Sequence, residues 1–77
     1  SLSYGYNDVR NDRTPRAFAQ DVICHARAAQ VNDIFNQITM VWTRLEPYLR
    51  RDIPKPTPTT TLTQFLEQLE SRSGIVF

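Results

Sequence analysis

Cys24 and His25 stand side by side, and they are the chain's single cysteine and single histidine. A thiol beside an imidazole is the pairing that nucleophilic catalysis uses, with the base drawing off the thiol proton. On a helix, however, adjacent side chains diverge by about 100°, so these two cannot serve each other. A Cys–His mechanism also requires an oxyanion hole, and nothing in the sequence points to one. A metal site would need further ligands from a second copy. The favoured reading is a small buried cysteine next to a surface or capping histidine. A single cysteine also excludes an internal disulfide, which fits a reducing, intracellular compartment and leads to the expectation of a cytoplasmic setting.

The carboxylates Asp21, Asp33, Glu46, Asp52, Glu67 and Glu70 fall on predicted polar faces. No two of them share an apolar setting that would raise one pKa for acid–base work. With Gly5 and Gly74 as the only glycines, a glycine-rich phosphate loop is excluded. No catalytic residue, metal ligand or cofactor site is assigned, and the chain is expected to be non-enzymatic. Arg10, Arg13 and Arg16 gather near one predicted helix, and Arg50 and Arg51 near another. Such groups can contact phosphates. A formal net charge of +1, however, gives little long-range drive toward nucleic acid or an anionic membrane. Solvation and pairing with nearby acids is the favoured role. No apolar run approaches the roughly 20 residues of a membrane span, and no secretory signal is visible.

The apolar pattern that must carry these groups is helical throughout. Thr14 and Pro15 supply an N-cap and a favoured first helical residue. Phe18, Val22, Ala26 and Ala29 then share a face, with Ala19 and Ile23 beside them, and the helix should end near Ala29 or Gln30. Asn32 is the expected cap of a second helix running to Arg44. Ile34, Ile38, Val41 and Leu45 form its buried stripe, Phe35 and Trp42 lie along one edge, and Met40 falls on the far, polar side. Trp42, the largest apolar side chain, is expected at the centre with the other elements around it. Pro47 opens a short third helix to Ile53, in which Tyr48, Leu49 and Ile53 continue the apolar face. Pro54 to Pro58 reads as a stiff polyproline-like connector. Thr61 and Gln64 form a capping box, and Leu62, Phe65, Leu66 and Leu69 line the last helix. Gly74 and Ile75 suit a Schellman close.

The prediction is an all-α, four-helix domain over residues 14–74, with an irregular polar arm over 1–13 and a tail over 75–77. One of the arm's tyrosines, Tyr4 or Tyr6, is expected to lie across the core edge. The predicted core is Phe18, Val22, Ile38, Val41, Trp42, Leu45, Leu49, Leu62, Phe65, Leu66 and Leu69. A chain of 77 residues makes a marginal core, and association is a common remedy. The blunt ends, Ser1 and an apolar Ile75-Val76-Phe77, suggest a piece of a longer protein.

Three stretches carry a family likeness: T-P-R-A-F-A-Q-D-V-I from Thr14, V-W-T-R-L-E-P-Y-L-R-R-D-I-P from Val41, and P-T-P-T-T-T-L-T-Q-F-L-E-Q-L from Pro56. In order and spacing this chain resembles the C-terminal capsid domain of Gag proteins, particularly those of fungal gypsy-class LTR retrotransposons. The landmarks are Trp42, Leu45, Pro47, Leu49 and Arg50, then Thr61, Leu62, Phe65 and Leu66. The residues before Thr14 depart from the glycine-and-acid-rich region that precedes the domain in retroviruses. The resemblance implies a non-enzymatic four-helix domain that self-associates through its second helix and helps build a capsid shell, within a virus-like particle. It implies a homodimer, with higher assembly in the full-length protein, and nucleic-acid binding outside this domain. The expected interface is the outer side of the second helix: Asn32, Phe35, Asn36, Thr39, Met40 and Thr43. Two other classes stay open: a host-adopted module binding a different protein, and a small helical nucleic-acid-binding domain using the arginines.

Overall fold

The computed structural model describes residues 3–73, and every regular element among them is a helix. The order is α1 (Tyr6–Arg10), α2 (Pro15–Ala28), α3 (Ile34–Thr43), α4 (Pro47–Asp52) and α5 (Leu62–Ser73). The fold is thus a small all-α domain. Helices α2 to α5 are the predicted set, and α1 is additional. Helix α2 packs on both α3 and α5, and α5 also touches α3 and α4.

Local chemistry sets the ends of these helices. Thr14 Oγ1 accepts from the Ala17 N–H at 3.1 Å, and Pro15 fills the first helical position of α2. At the other end Gln30 takes a left-handed φ of 63°. The Val31 N–H reaches back to the Ala26 carbonyl at 2.8 Å, and the Gln30 N–H to that of Arg27 at 2.9 Å. That is a Schellman close built without glycine. The cap of α3 is Asp33 rather than the expected Asn32: its carboxylate accepts from the Asn36 N–H at 3.0 Å. An acid here also meets the positive end of the helix. In α5, Thr61 and Gln64 each accept from the other's backbone N–H at 3.1 Å, the reciprocal capping box. The expected Gly74–Ile75 close lies outside the described residues.

Phe18, Val22, Ile38, Val41, Leu45, Leu49, Phe65, Leu66 and Leu69 are buried, as the helical stripes predict. Trp42 and Leu62 are only partly buried, packed against that cluster. The centre expected of Trp42 belongs instead to Tyr4 and Phe18, whose rings stack with centroids 5.0 Å apart. Trp42 lies at the boundary, where its indole N–H donates to the Ile53 carbonyl at 3.0 Å. Ile34 and Ala29, placed on the predicted apolar faces of their helices, are exposed. Ile34 lies on the core side of the wheel but in the first turn of α3, beside a loop whose residues other than Val31 are exposed. Met40 moves the other way, packing partly buried on the core. It shares a flank of α3 with buried Gln37, three residues earlier, so the covered arc is wider than the apolar stripe implied. The Gln37 amide donates to the Val31 carbonyl at 2.9 Å and pins the α2–α3 loop.

Residues 3–13 are not an irregular arm. Tyr4 crosses the α3–α4 junction as a one-residue parallel bridge to Leu45. Its N–H donates to the Arg44 carbonyl at 3.1 Å, and its carbonyl accepts from the Glu46 N–H at 2.9 Å. The side chain is fully buried, with the hydroxyl donating to the Arg13 carbonyl at 2.6 Å. At Gly5 the backbone passes so close that a Cβ would run into the Glu46 carboxylate. Helix α1 then closes through Asp12, at φ 61°, with the Arg13 N–H on the Asp8 carbonyl at 2.9 Å. The packed domain therefore begins well before Thr14.

Candidate functional site

The outer side of α3 is where sequence pattern and resemblance meet. Asn32, Asn36 and Thr43 are exposed there, while Phe35 and Thr39 are partly buried. The Thr39 hydroxyl donates to the Phe35 carbonyl at 2.8 Å, and that of Thr43 to the Met40 carbonyl at 2.9 Å. Both donors are thus used within the helix, and the face is less polar than its composition suggests. Of the six expected interface residues, Met40 is drawn toward the core. Ile34, at 51% exposure the one large hydrophobic side chain left open among the described residues, lies on the core side of the helix at its exposed first turn and not on this outer face. Helical periodicity assigned Ile34 to the core, and no local signal marked it as outward. Asp33, next to it, is the face's only carboxylate.

Two open grooves flank α5. One, of about 500 Å³, runs between α2 and α5 over Ala19, Ile23, Leu62 and Leu66. The other, of about 650 Å³, lies between the proline connector and α5, where Asp52, Lys55, Glu67 and Arg72 mix both signs of charge.

The remaining reactive groups are dispersed. Cys24 is exposed, not buried as expected, because it faces away from the side of α2 that carries Val22, Ile23 and Ala26. His25 is exposed beside it. Among the described residues, no group of three or more His, Cys, Asp or Glu is placed to hold a metal ion. No helix among them is long and apolar enough to cross a membrane.

Three of the arginines are engaged by acids of the fold. Arg13 donates to Asp8 at 3.0 Å, to the Ser3 carbonyl at 3.2 Å and to Asp21 at 3.4 Å, with its guanidinium 5.1 Å from the Phe18 ring centroid. Arg16 grips Glu70 through two bonds, at 3.0 and 3.3 Å, and Arg51 pairs with Asp52 at 3.6 Å. Partial burial alone would raise the Asp8 carboxyl pKa. The hydrogen bonds from Arg13 and the Gly5 N–H, together with the Arg13 charge, outweigh it and hold the group below its ordinary value. Asp8 is therefore an ionised anchor for Arg13 and not a proton donor. Comparison with known proteins adds no identity: no family model, no curated protein and no solved structure matches this chain.

Proposed function

We propose that this chain is a non-catalytic self-association domain of the Gag-like capsid class, whose copies meet through the outer face of α3. The carrying observation is Ile34, open to solvent at 51% beside partly buried Phe35. These stand on the helix through which the resembling family associates. Small interfaces concentrate their energy in a few apolar or aromatic anchors ringed by near-neutral contacts. Phe35 is the anchor on the outer face, with Asn32, Asn36, Thr39 and Thr43 around it, and Ile34 adds open apolar surface at the helix's first turn. Two of those ring hydroxyls already donate within the helix, so covering them costs little. The contact is small and therefore weak, and a shell gains its strength from many copies acting together.

The test is sedimentation of the parent chain over a wide concentration range, beside the double variant Ile34→Asp with Phe35→Asp. The parent's mass should rise with concentration. The variant should stay a monomer while keeping its helical circular dichroism and a cooperative melt. A parent that remains monomeric at millimolar concentration refutes the proposal.

A further inference from the structure

We infer that the α3 edge docks into the groove between α2 and α5 of a second copy, head to tail rather than about a two-fold axis. This rests on the self-association reading above and supplies its other half. The groove floor is apolar: Ala19 and Ile23 come from α2, Leu62 and Leu66 from α5. A groove of about 500 Å³ has room for one protruding aliphatic side chain and the flank of a helical turn. The rim is basic, and no carboxylate lines it. Arg16 and Arg27 mark its ends, three helical turns apart, so it runs about 16 Å along α2. Arg16 is held by Glu70, whereas Arg27 makes no ion pair among the described residues.

The α3 edge carries the complementary set. Ile34 is the open apolar knob, and Asp33 stands beside it. The capping bond uses Asp33 Oδ2, which leaves Oδ1 to accept from Arg27 of the next copy. A two-fold contact centred on Ile34 would instead bring two Asp33 carboxylates together. Knob and groove lie on different helices of one chain, so each copy offers both. Such a contact does not close on itself at two copies; it propagates into rings or filaments.

Mixing two single variants tests this. Ile34→Asp removes the knob, and Thr63→Glu, on the groove's exposed rim, sets a carboxylate where Asp33 must sit. Each alone should sediment as a monomer where the parent associates. An equimolar mixture should form a one-to-one dimer, because one intact knob and one intact groove remain. If Thr63→Glu associates as the parent does, or the mixture stays monomeric, the inference fails while self-association stands. A parent that never associates overturns both. A covalent check uses Ile34→Cys, oxidised by dissolved oxygen with copper phenanthroline. Disulfides from the introduced thiol to Cys24 of the next copy should yield a ladder of linked chains, abolished by adding Cys24→Ser. Absence of a ladder, or dimers joined only through introduced thiols, overturns the docking.

Discussion

Replacing Tyr4 tests whether the N-terminal segment belongs to the folding unit. Its ring is fully buried and stacked on Phe18, and its hydroxyl donates to the Arg13 carbonyl at 2.6 Å. Tyr4→Phe keeps the ring and removes that bond, which should cost about 1 kcal/mol. In a domain of this size that lowers Tm by about 4–8 °C. Tyr4→Ala also empties the site and removes the stacking, for about 3–5 kcal/mol. At about 0.05–0.15 kcal/mol per residue, a chain of 77 residues has a total of about 4–12 kcal/mol. Tyr4→Ala should therefore remove between a quarter of the stability and all of it. The assay is urea denaturation followed by circular dichroism and by Trp42 fluorescence, since Trp42 reports from the α3–α4 side of the core. The two probes should shift together. A Tyr4→Ala midpoint within error of the parent would show that residues 3–13 lie outside the cooperative unit, and the structural account of the core would be wrong.

Three further changes test separate parts of the fold. Asp8→Asn should be less stable than the parent at neutral pH, with the gap closing on acidification. A carboxyl held below its ordinary 3.8 stabilises above that value and loses its contribution as pH falls through the folded pKa; a gap constant from pH 7 to pH 2 would refute this. Gln30→Gly relieves a left-handed residue worth about 1–2 kcal/mol, against about 0.5–1 kcal/mol for glycine's extra unfolded freedom. The net expectation is a higher urea midpoint, and a lower one would contradict the Schellman close. Trp42→Phe strips the Ile53 carbonyl of its indole donor and should cost about 1–2 kcal/mol, read by the same melts with circular dichroism alone.

What could be read from the residues is what depends on near neighbours. The Thr14 cap, the Thr61–Gln64 box, the proline start of α4 and the stripes of α2, α3 and α5 all follow from residues within a turn or two of each other. The sequence puts one arm tyrosine at the core edge, but which one and how deep cannot be read from it, because Tyr4's partners, Leu45 and Phe18, are distant in sequence and its segment has no periodicity. Ile34 escaped for a different reason. Periodicity states which side of a helix faces inward, but not how far along the helix its neighbours extend. Trp42, partly buried while the smaller Tyr4 is fully buried, shows that size alone does not set depth. Cys24, placed among small apolar residues, was assigned by type when its angle on α2 decided the matter. The α2–α5 groove was illegible, because a groove is a property of two helices and of the distance between them.

These departures bear on function together. Of the five arginines that composition offered to a nucleic acid, Arg13 is tied into the fold by Asp8, Asp21 and Phe18, and Arg16 pairs with Glu70 at the exposed surface. Tyr4 and Asp8 hold Arg13 there; the sequence placed one arm tyrosine at the core edge but gave Asp8 no role. The open side chain on α3 is aliphatic. On the self-association proposed above, covering it would draw on area removed from water, a driving force that depends little on salt, whereas phosphate binding would weaken steeply as salt displaces it. The same segment that completes the core thus also fixes where the Arg13 charge lies.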